Sequence, residues 1–472
     1  MIKFLLLCIC FLFLLGGCNR DASDHPRLNP NNPVTITIWH FYSGAVLTAF
    51  DAMVREFNET VGFERGIIVD ALSFGGVADL EAAVLASARR EAGSMALPNI
   101  FAAFPDTAYV VQEMGLLANL DDYFTPEQQA EYYAPFIDRG RMGDDGELRL
   151  FPIAQTTEVF MINETDWRPF ADAHGFTDAD LATMESITRV AQVYYHYTGG
   201  LAFFGRDQFA NLMIIGSKQF GTELFEANQG RGTVNLNPIA MRRFWDYYYT
   251  PFVSGYFAAI GRFRSDDVRV GDLLAYVGSN TSAVFFPTEV RRDEQTRPIK
   301  GRVLPPPLFE DGDAILIQQG AGMAVTLDTP EAQYACLVFL RWFTEPDNNL
   351  RFSALTGHLP VRYSVMDATM VRDVAMEMGL NLTPITYETL HVALAAVRER
   401  TLYATTSFIG SSEARSIVNT HLRNHAQLGR TTVLSLVEGG MSREEAIKQL
   451  TADEHFYAWV ADLYEALNEV IY

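Results

Sequence analysis

Apolar and polar residues alternate along the first part of the chain with two periods, one typical of strands and one typical of helices. Residues 34–39 alternate at every second position, and the apolar residues within 50–57 recur at helical spacing. Residues 67–72 and 99–104 are again typical of strands, and a helical pattern at 80–90 separates them. Strands that alternate with helices predict an α/β fold with a mostly parallel sheet and covering helices.

The segments that follow these three strands are the first candidates for a binding site. In open α/β sheets, ligands bind beside the carboxyl ends of the strands, so residues 40–43, 73–76 and 104–107 should share one rim. These segments carry aromatic rings and polar groups on loops at strand ends, where binding residues are often found. For the aromatic residues the alternative is packing in a core, and for Asp106 it is a local turn. The candidates on this rim are Trp39, His40, Tyr42, Phe74, Phe104 and Asp106.

A second informative stretch begins with a strand expected at 303–305, which would return the chain to the first part of the fold. One apolar face predicts a helix over 330–343, with Thr329 as its cap. A shorter helix then ends at Gly357, a residue type that tolerates the left-handed conformation of a helix end. The pattern therefore places His358 on a tight, oriented loop.

The middle and the end of the chain give a coarser pattern. Residues 158–163 are expected to form a strand, and 181–197 and 239–249 are expected to form helices. The apolar run 283–286 is interpreted as a buried strand. From 389 to 472 the chain is expected to be mostly helical. No internal repeat interrupts this order.

Composition and charge narrow the class of protein. The chain has 472 residues, of which 49% are hydrophobic, so it can bury more than one core. Its 58 acidic and 36 basic residues give a formal net charge of −22. A surface of this sign repels phosphate backbones, which excludes nucleic acid as a main partner.

The N-terminus predicts export and a lipid anchor. A single Lys3 precedes the apolar residues 4–15, a run shorter than the span of about 20 residues that crosses a bilayer. Residues 15–18 resemble a bacterial lipobox, in which Cys18 is lipidated and becomes the mature N-terminus. An ordinary secretory signal cut near Gly17 is the alternative.

The polar segment after the leader and the positions of the remaining cysteines are also those expected of an exported protein. Residues 1–17 are expected to be removed, and residues 18–32 are expected to form a flexible tether. Removal of the leader takes away Cys8 and Cys10, and Cys336 lies on the apolar face of the 330–343 helix, so no intramolecular disulfide is expected.

Taken in order, these features resemble the extracellular solute-binding proteins of bacterial import transporters, the family that includes maltose-binding proteins. The resemblance covers nearly the whole mature chain. The features that carry it are the lipobox, the strand ending at 39–40, the turn 115–120, the segment from Phe151 to Asn163 and the loop 356–361.

Within that family the chain is most similar to the glycerol-3-phosphate-binding branch. The features that carry this narrower likeness are residues 39–40, 155–157, 320–322 and Arg415. The branch implies that Arg415 pairs with a phosphate through its forked guanidinium, whereas an arginine facing solvent on a helix is the alternative. Two positions depart from the branch, which has a tyrosine where this chain has His358 and an indole where it has Phe204.

The resemblance implies a two-lobed periplasmic-binding-protein fold of type II, an α/β fold with discontinuous lobes. Hinge strands join the lobes, and the ligand lies in the cleft between them. Residues 33–151 and 305–365 are assigned to lobe 1, and residues 152–304 and 366–472 to lobe 2. The protein would be a monomer in the bacterial periplasm, attached to the membrane only through its lipid. It would close on a carbohydrate, a polyol or a polyol phosphate and deliver it to the permease subunits of an ABC importer, without a cofactor.

The polar candidates for the cleft come from loops and from segments beside the expected hinge. Their alternative is local capping or turn bonding, which threonine and aspartate often make. With the aromatic Phe204 included, these candidates are Asp106, Thr156, Thr157, Phe204, Thr288, Gly320, His358 and Arg415.

Catalytic and metal-binding patterns are weaker. His421 and His425 lie four residues apart, but no third ligand follows, so an exposed helix face is favoured. The acidic pairs 121–122 and 266–267 carry little information in so acidic a chain. The sequence has no nucleophile elbow, P-loop or His-Glu-x-x-His motif. A binding protein is therefore favoured over two alternatives, a secreted glycan hydrolase and a receptor for a membrane sensor.

Overall fold

The computed structural model describes residues 26–143, 145–228 and 230–471. The leader peptide, Cys18 and the first part of the expected tether lie outside these residues. The elements up to residue 151 are β1 (Val34–His40), α1 (Gly44–Glu59), α2 (Val61–Arg65), β2 (Ile67–Ser73), α3 (Val77–Ala88), β3 (Ile100–Ala103), α4 (Pro105–Glu113), α5 (Pro126–Gln129), α6 (Ala134–Asp138), β4 (Arg141–Met142), β5 (Glu147–Leu148) and β6 (Leu150–Phe151).

The remaining elements fall into two stretches. The first contains β7 (Glu158–Asn163), α7 (Glu164–His174), α8 (Met184–Thr198), β8 (Ala202–Arg206), α9 (Phe209–Gln219), β9 (Phe225–Asn228), β10 (Arg231–Val234), α10 (Pro238–Phe244), α11 (Thr250–Val253), α12 (Arg264–Arg269), β11 (Leu273–Ser279), β12 (Glu289–Arg292), β13 (Gln295–Pro298) and β14 (Gly301–Leu304). The second contains β15 (Ile315–Ile317), β16 (Gly322–Val325), α13 (Pro330–Phe343), α14 (Pro346–Thr356), α15 (Ala368–Glu377), α16 (Pro384–Glu399), β17 (Thr401–Tyr403), α17 (Ser411–Glu438), α18 (Arg443–Leu450) and α19 (Asp453–Asn468).

The first lobe is built on a sheet with the strand order β2-β1-β3-β16-β6. β1 pairs in parallel with β2 and β3, as the alternation of strands and helices predicts, and β16 pairs antiparallel with β3. Helix α13 covers this sheet together with α1, and the ring of Phe57 meets those of Phe339 and Trp342 at 5.1 and 5.2 Å. Because β16 follows the second lobe in sequence, the first lobe is discontinuous.

The second lobe is built on a sheet with the strand order β14-β7-β11-β8. β8 and β11 are parallel, whereas β7 and β14 run antiparallel to their neighbours. The three C-terminal helices pack on this lobe, where Trp245 and Trp459 lie in one buried cluster with their rings 5.8 Å apart. These two bodies confirm the predicted α/β class and the mostly helical C-terminal part.

Two predictions about this part of the chain were wrong. Residues 303–305 do not return the chain to the first lobe, because Val303 pairs with Met161 inside the second sheet. The residues that follow stay with the second lobe, since Phe309 and Ile317 are buried in its core. Residues 283–286 are not a buried strand either. A 3-10 helix runs through Asn280–Phe285, and the buried strand is the preceding β11.

The helix predicted over 330–343 is confirmed in its bounds and in its cap, because the hydroxyl of Thr329 accepts a hydrogen bond from the backbone N–H of Ala332. None of the helices in the described residues is both long enough and apolar enough to cross a membrane.

Candidate functional site

The three segments that follow β1, β2 and β3 meet at one edge of the first sheet, as predicted. The backbone N–H of Phe74 donates to the carbonyl of His40 at 2.8 Å, and the hydroxyl of Ser73 donates to the carbonyl of Tyr42 at 2.7 Å. The rings of Phe41 and Phe104 stack with their centroids 6.0 Å apart. These contacts make one continuous rim on the first lobe.

The aromatic candidates on this rim fall into an inner and an outer group. Trp39 and Tyr42 are buried, and the ring of Tyr42 packs 5.1 Å from that of Phe50 in the core. Phe74 and Phe104 are only half-buried, and the ring of Phe74 rests 5.0 Å from that of Trp39. The inner group therefore supports the rim, and the outer group offers the flat apolar faces that a sugar requires.

His40 belongs to the inner group. It is fully buried, and its Nδ1 accepts a hydrogen bond from the backbone N–H of Tyr42 at 3.2 Å. Burial lowers the pKa of His40 to about 4, so the ring is neutral at pH 7. A neutral ring that accepts at Nδ1 carries its proton on Nε2, and this atom has no hydrogen-bond partner among the described residues.

Two extended segments cross between the lobes side by side. Thr156 and Gln319 exchange two backbone hydrogen bonds of 2.9 Å. Thr157 is fully buried, and its hydroxyl donates to the carbonyl of Ile317 at 2.7 Å. Both threonines were predicted as ligand-binding residues. The structure places them in the paired crossing segments that join the two lobes.

His358 lies on the loop that follows α14, next to these crossing segments. Leu359 and Gln155 exchange backbone hydrogen bonds, and Asn280 of the second lobe donates from its Nδ2 to the carbonyl of Gly357 at 2.7 Å. The imidazole of His358 is half-buried, and burial lowers its pKa to about 4. The Nδ1 of His358 already shares a hydrogen bond of 2.9 Å with the hydroxyl of Thr356, so Nε2 is the ring nitrogen that can make a further hydrogen bond, for example with a hydroxyl group.

The second lobe contributes a chain of charged and polar side chains. Arg206 at the end of β8 donates to Glu158 at 2.5 Å, and both side chains are buried. Asn211 in the first turn of α9 donates from its Nδ2 to Glu158 Oε1 at 2.8 Å and accepts a hydrogen bond from Arg415 through Oδ1. This chain orients Arg415, which is half-buried and does not face open solvent as the alternative required.

Asp106 ties the two lobes together opposite the crossing segments. It lies in the first turn of α4, and its Oδ1 accepts hydrogen bonds of 2.9 Å from the hydroxyls of Ser407 and Ser411. Ser411 is the first residue of α17. Because α4 belongs to the first lobe and α17 to the second, the described protein holds its lobes in contact.

Arg139, at the end of α6, is a site residue that sequence reasoning missed. Its Nη1 donates to the carbonyl of Gly320 at 3.0 Å. Burial lowers the pKa of Arg139 to about 10, the nearby carboxylate of Asp106 raises it, and the positive charge of Arg415 lowers it further. Gly320 has a φ of +114°, and a Cβ there would lie 3.2 Å from the Cα of Gln155, so the crossing segments approach closely at this glycine.

Two predicted site residues lie elsewhere. Phe204 is fully buried in the second core, with its ring 4.9 Å from that of Phe257. Thr288 is exposed beside the β12–β13 hairpin, and its carbonyl accepts a hydrogen bond from the N–H of Ile299. Neither residue has a contact with the rim of the first lobe or with the crossing segments among those described above.

The histidine pair on α17 is partly enclosed by aromatic side chains. The rings of His425 and Tyr249 lie 5.0 Å apart, and burial lowers the pKa of His425 to about 4. Within the described residues, no group of three or more histidine, cysteine or acidic side chains is arranged to hold a metal ion.

Glu158 and Asn211 were also missed as site residues. A lone carboxylate at the start of the strand 158–163, whose residues 159–162 are all apolar, is a signal that sequence reasoning can use, because a buried acid requires a partner. Arg139 offers no such signal, since it follows a short helix among other polar residues.

Comparison with solved structures places this fold among known binding proteins. The cyclic α-maltosyl-1,6-maltose binding protein from Arthrobacter globiformis superposes with a TM-score of 0.66 at 19% identity, over 93% of this chain and 99% of that one. UgpB from Mycobacterium tuberculosis, solved with glycerophosphocholine, gives a TM-score of 0.66 at 17% identity, over 91% and 99%. Lmo0181 from Listeria monocytogenes, solved with cycloalternan, gives 0.63 at 13% identity, over 91% and 100%.

These superpositions establish a shared two-lobed fold, and at identities this low they establish the fold alone. They confirm the type of fold that the sequence resemblance implied. A search of curated proteins finds no match. The family model of bacterial extracellular solute-binding proteins matches residues 52–378, which are 327 of the 472 residues and include the second sheet, the first sheet except β1, and the crossing segments. The chain therefore belongs to the bacterial extracellular solute-binding protein family.

Proposed function

We propose that this protein is the lipid-anchored substrate-binding subunit of an ABC importer. It captures a small carbohydrate, a polyol or a polyol phosphate between its lobes and delivers that ligand to a membrane permease. The observation that carries the proposal is that the two lobes, joined by the crossing segments, also contact each other through side chains: Asp106 of the first lobe accepts hydrogen bonds from Ser407 and Ser411 of the second, and Asn280 of the second lobe donates to the carbonyl of Gly357. We expect the half-buried Phe104, His358 and Arg415, which lie next to these contacts in the sequence, to face the ligand.

The chemistry of these groups suits a polyhydroxylated ligand. The half-buried rings of Phe74 and Phe104 cover C–H faces, and His358 exchanges hydrogen bonds with hydroxyls. The solved structures reported above were named for, or solved with, cyclic oligosaccharides and glycerophosphocholine, and these ligand types guide the choice of compounds. The backbone pairing of Thr156 with Gln319 marks where closure bends the chain.

The cellular setting belongs to the same proposal. Removal of residues 1–17 leaves Cys18 as the lipidated N-terminus, and the residues that follow it act as a tether. The tether is shorter than the predicted range 18–32, because Leu28 packs against the core that contains β1. The mature protein is then a monomer held in the bacterial cell envelope, where it docks on permease subunits. Its first lobe comprises residues 33–151 and the part of 305–365 that follows the crossing segment at Gln319, and its second lobe comprises 152–304, the buried residues within 308–317, and 366–472.

A ligand screen by thermal unfolding tests this function. A ligand that binds only the folded state at 100 times its Kd raises the free energy of unfolding by about 2.7 kcal/mol. We expect such a rise with a sugar, a polyol or a polyol phosphate, measured on the mature chain. Release of shortened products from an oligosaccharide contradicts the proposal in favour of a hydrolase, and no rise with any of the three classes contradicts ligand capture.

The Arg415→Ala variant tests which chemical class is bound. We expect it to weaken the binding of glycerol 3-phosphate more than that of glycerol, because a guanidinium makes paired, charge-assisted hydrogen bonds only with the anion. Calorimetric titration of both compounds measures the difference. An equal effect on the two affinities removes Arg415 from phosphate recognition while leaving the importer function in place.

A further inference from the structure

Phe63 is the most exposed large apolar side chain among the described residues, with 77% of its surface accessible. It lies on α2, at the end of the first sheet where β1 and β2 begin. Ile68, the second residue of β2, is 44% exposed at the same end of the sheet. Single exposed apolar residues are common on protein surfaces, so exposure by itself does not indicate a binding surface.

The N-terminal segment of the described chain runs past the same end of the sheet. Leu28 packs against the core that contains β1. The backbone of the next residue presses against Gly66, the C-terminal cap of α2, because a Cβ built on Gly66 would lie 2.4 Å from the carbonyl oxygen of Asn29. Phe63 precedes Gly66 by three residues, which is about one helical turn. The chain therefore enters the fold beside Phe63.

The lipid proposed on Cys18 is close to this entry point along the sequence. Pro26, the first described residue, follows Cys18 by eight positions. A polypeptide spans at most about 3.6 Å per residue, so the lipid lies within about 30 Å of Pro26 in any conformation of the residues between them. A linker this short gives a second contact a high effective concentration. A contact too weak to hold a free protein at the bilayer can therefore hold an anchored one.

We propose that the first lobe rests on the lipid bilayer through Phe63, whose ring enters the headgroup region beside the anchored N-terminus. The inference rests on the proposed function, because the lipid on Cys18 is part of it. The contact is apolar rather than electrostatic, since the exposed Glu64 and Arg65 after Phe63 cancel in charge and the net charge of −22 gives the protein no attraction to anionic lipids. Burying one phenylalanine ring shifts an equilibrium by roughly 10- to 100-fold.

Contact through Phe63 places the rim of the first lobe away from the lipid. In the parallel pairing of β1 with β2, Val34 lies opposite Ile67 at the end near Phe63, and His40 lies opposite Ser73 at the rim. Strand β2 has seven residues, so these two ends of the sheet are about 20 Å apart. The rim therefore faces the solution from which a ligand arrives.

Tryptophan fluorescence can report this contact, because the five native tryptophans are all buried. Phe63→Trp adds an exposed indole at the proposed contact, and Phe263→Trp adds one at a position of the second lobe that is 52% exposed, as the matched control. The mature chain of each variant is coupled through Cys18 to a maleimide phospholipid in vesicles of phosphatidylethanolamine and phosphatidylglycerol. Cys336 is buried and is not coupled. Lipids brominated near the headgroup quench an indole that enters the bilayer.

We expect the brominated lipids to quench Phe63→Trp and to leave Phe263→Trp unchanged, at low and at high salt alike. A second measurement uses hydrogen exchange of the backbone amides of residues 61–68, which should be slower on vesicles than in the unanchored chain. Phe63→Ser should lower the equilibrium constant of the contact by roughly 10- to 100-fold and remove this protection, whereas Phe263→Ser should keep it. Because Phe63 is exposed, its replacement leaves the core intact.

The outcomes separate the bilayer contact from the proposed function. If Phe63→Trp is not quenched, or if Phe263→Trp is quenched equally, the contact is overturned and the importer function stands. If Phe63→Ser dissociates a dimer of the unanchored chain in analytical ultracentrifugation, Phe63 contacts a second copy of the protein, and the bilayer contact is again overturned. Ligand affinity should be equal in the wild type and Phe63→Ser, because the rim is about 20 Å away. A wild type that binds no ligand, or that carries no lipid on Cys18 when isolated from cells, contradicts the proposed function itself.

Discussion

Replacing Glu158 with alanine is expected to lower the free energy of unfolding by about 3–5 kcal/mol, the loss typical of breaking a buried ion pair from one side. The side chains of Glu158 and Arg206 are 6% and 4% exposed, so Arg206 would keep a charge with neither water nor a counter-ion. The amide group of Asn211 would lose its acceptor at the same time. Chemical denaturation of the two proteins measures the difference.

Two further variants show whether burial is the cause. Glu158→Gln keeps an acceptor for Asn211 but not the charge, and it should fall between the wild type and Glu158→Ala. Glu289→Ala removes one partner of the pair with Arg291, whose side chains are 38% and 68% exposed, and it should cost about 1 kcal/mol or less. A loss below about 1 kcal/mol in Glu158→Ala would mean that water reaches Arg206, contrary to this packing.

Local patterns predicted the elements of the fold well where one periodicity dominates. Strand β1 alternates cleanly, and α13 has a cap, a proline in its first turn and a single apolar face, so both appear where expected. Local patterns gave the wrong element where a short apolar run has neither the strand nor the helix periodicity. Residues 283–286 have the composition of a strand, yet Val284 and Phe285 are 50% and 64% exposed at the end of a 3-10 helix.

The return of the chain to the first lobe was misplaced for a different reason. The run of prolines at 305–307 looks like the start of a crossing, because proline ends regular strand pairing. The chain then adds Phe309 to the second core, and the backbone N–H of Phe309 donates to Gln219 Oε1 at 2.9 Å. The contact that keeps this segment in the second lobe, rather than returning it to the first, is made with a residue 90 positions earlier. A local sequence pattern does not contain that information.

In the candidate site, too, some residues could be placed from local sequence patterns and others could not. Loops at strand ends could be placed from topology, so Phe74, Phe104 and Asp106 lie where that reasoning expects a rim. The positions of Arg139 and Arg415 depend on contacts across the lobes, such as that of Asp106 with a serine 305 residues later. Aromatic residue type alone did not separate the half-buried Phe104 from the core residue Phe204, because both occur in apolar strand patterns.

Lowering the pH from 6.5 to 4 is expected to remove about 3 kcal/mol of folding stability through His40 alone. The pKa of this imidazole is lowered from 6.5 to about 4 in the folded protein, because the ring is fully buried. Below pH 6.5 the imidazole of His40 is protonated in the unfolded chain but not in the folded chain. The free energy of unfolding therefore falls as the pH falls, until the folded ring is also protonated near pH 4. The size follows from about 1.36 kcal/mol for each pH unit of pKa difference.

His40→Asn isolates this contribution, because an asparagine side-chain oxygen can replace Nδ1 as the acceptor for the Tyr42 N–H. We expect the free energies of unfolding of the wild type and His40→Asn to converge by about 3 kcal/mol between pH 7 and pH 4. Titrations of carboxylates and of His358 act on both proteins alike and cancel in this difference. His391→Asn, at an exposed position on α16, is the control and should stay parallel to the wild type. Parallel curves for His40→Asn would show instead that the folded protein admits a proton at His40 as readily as the unfolded chain does.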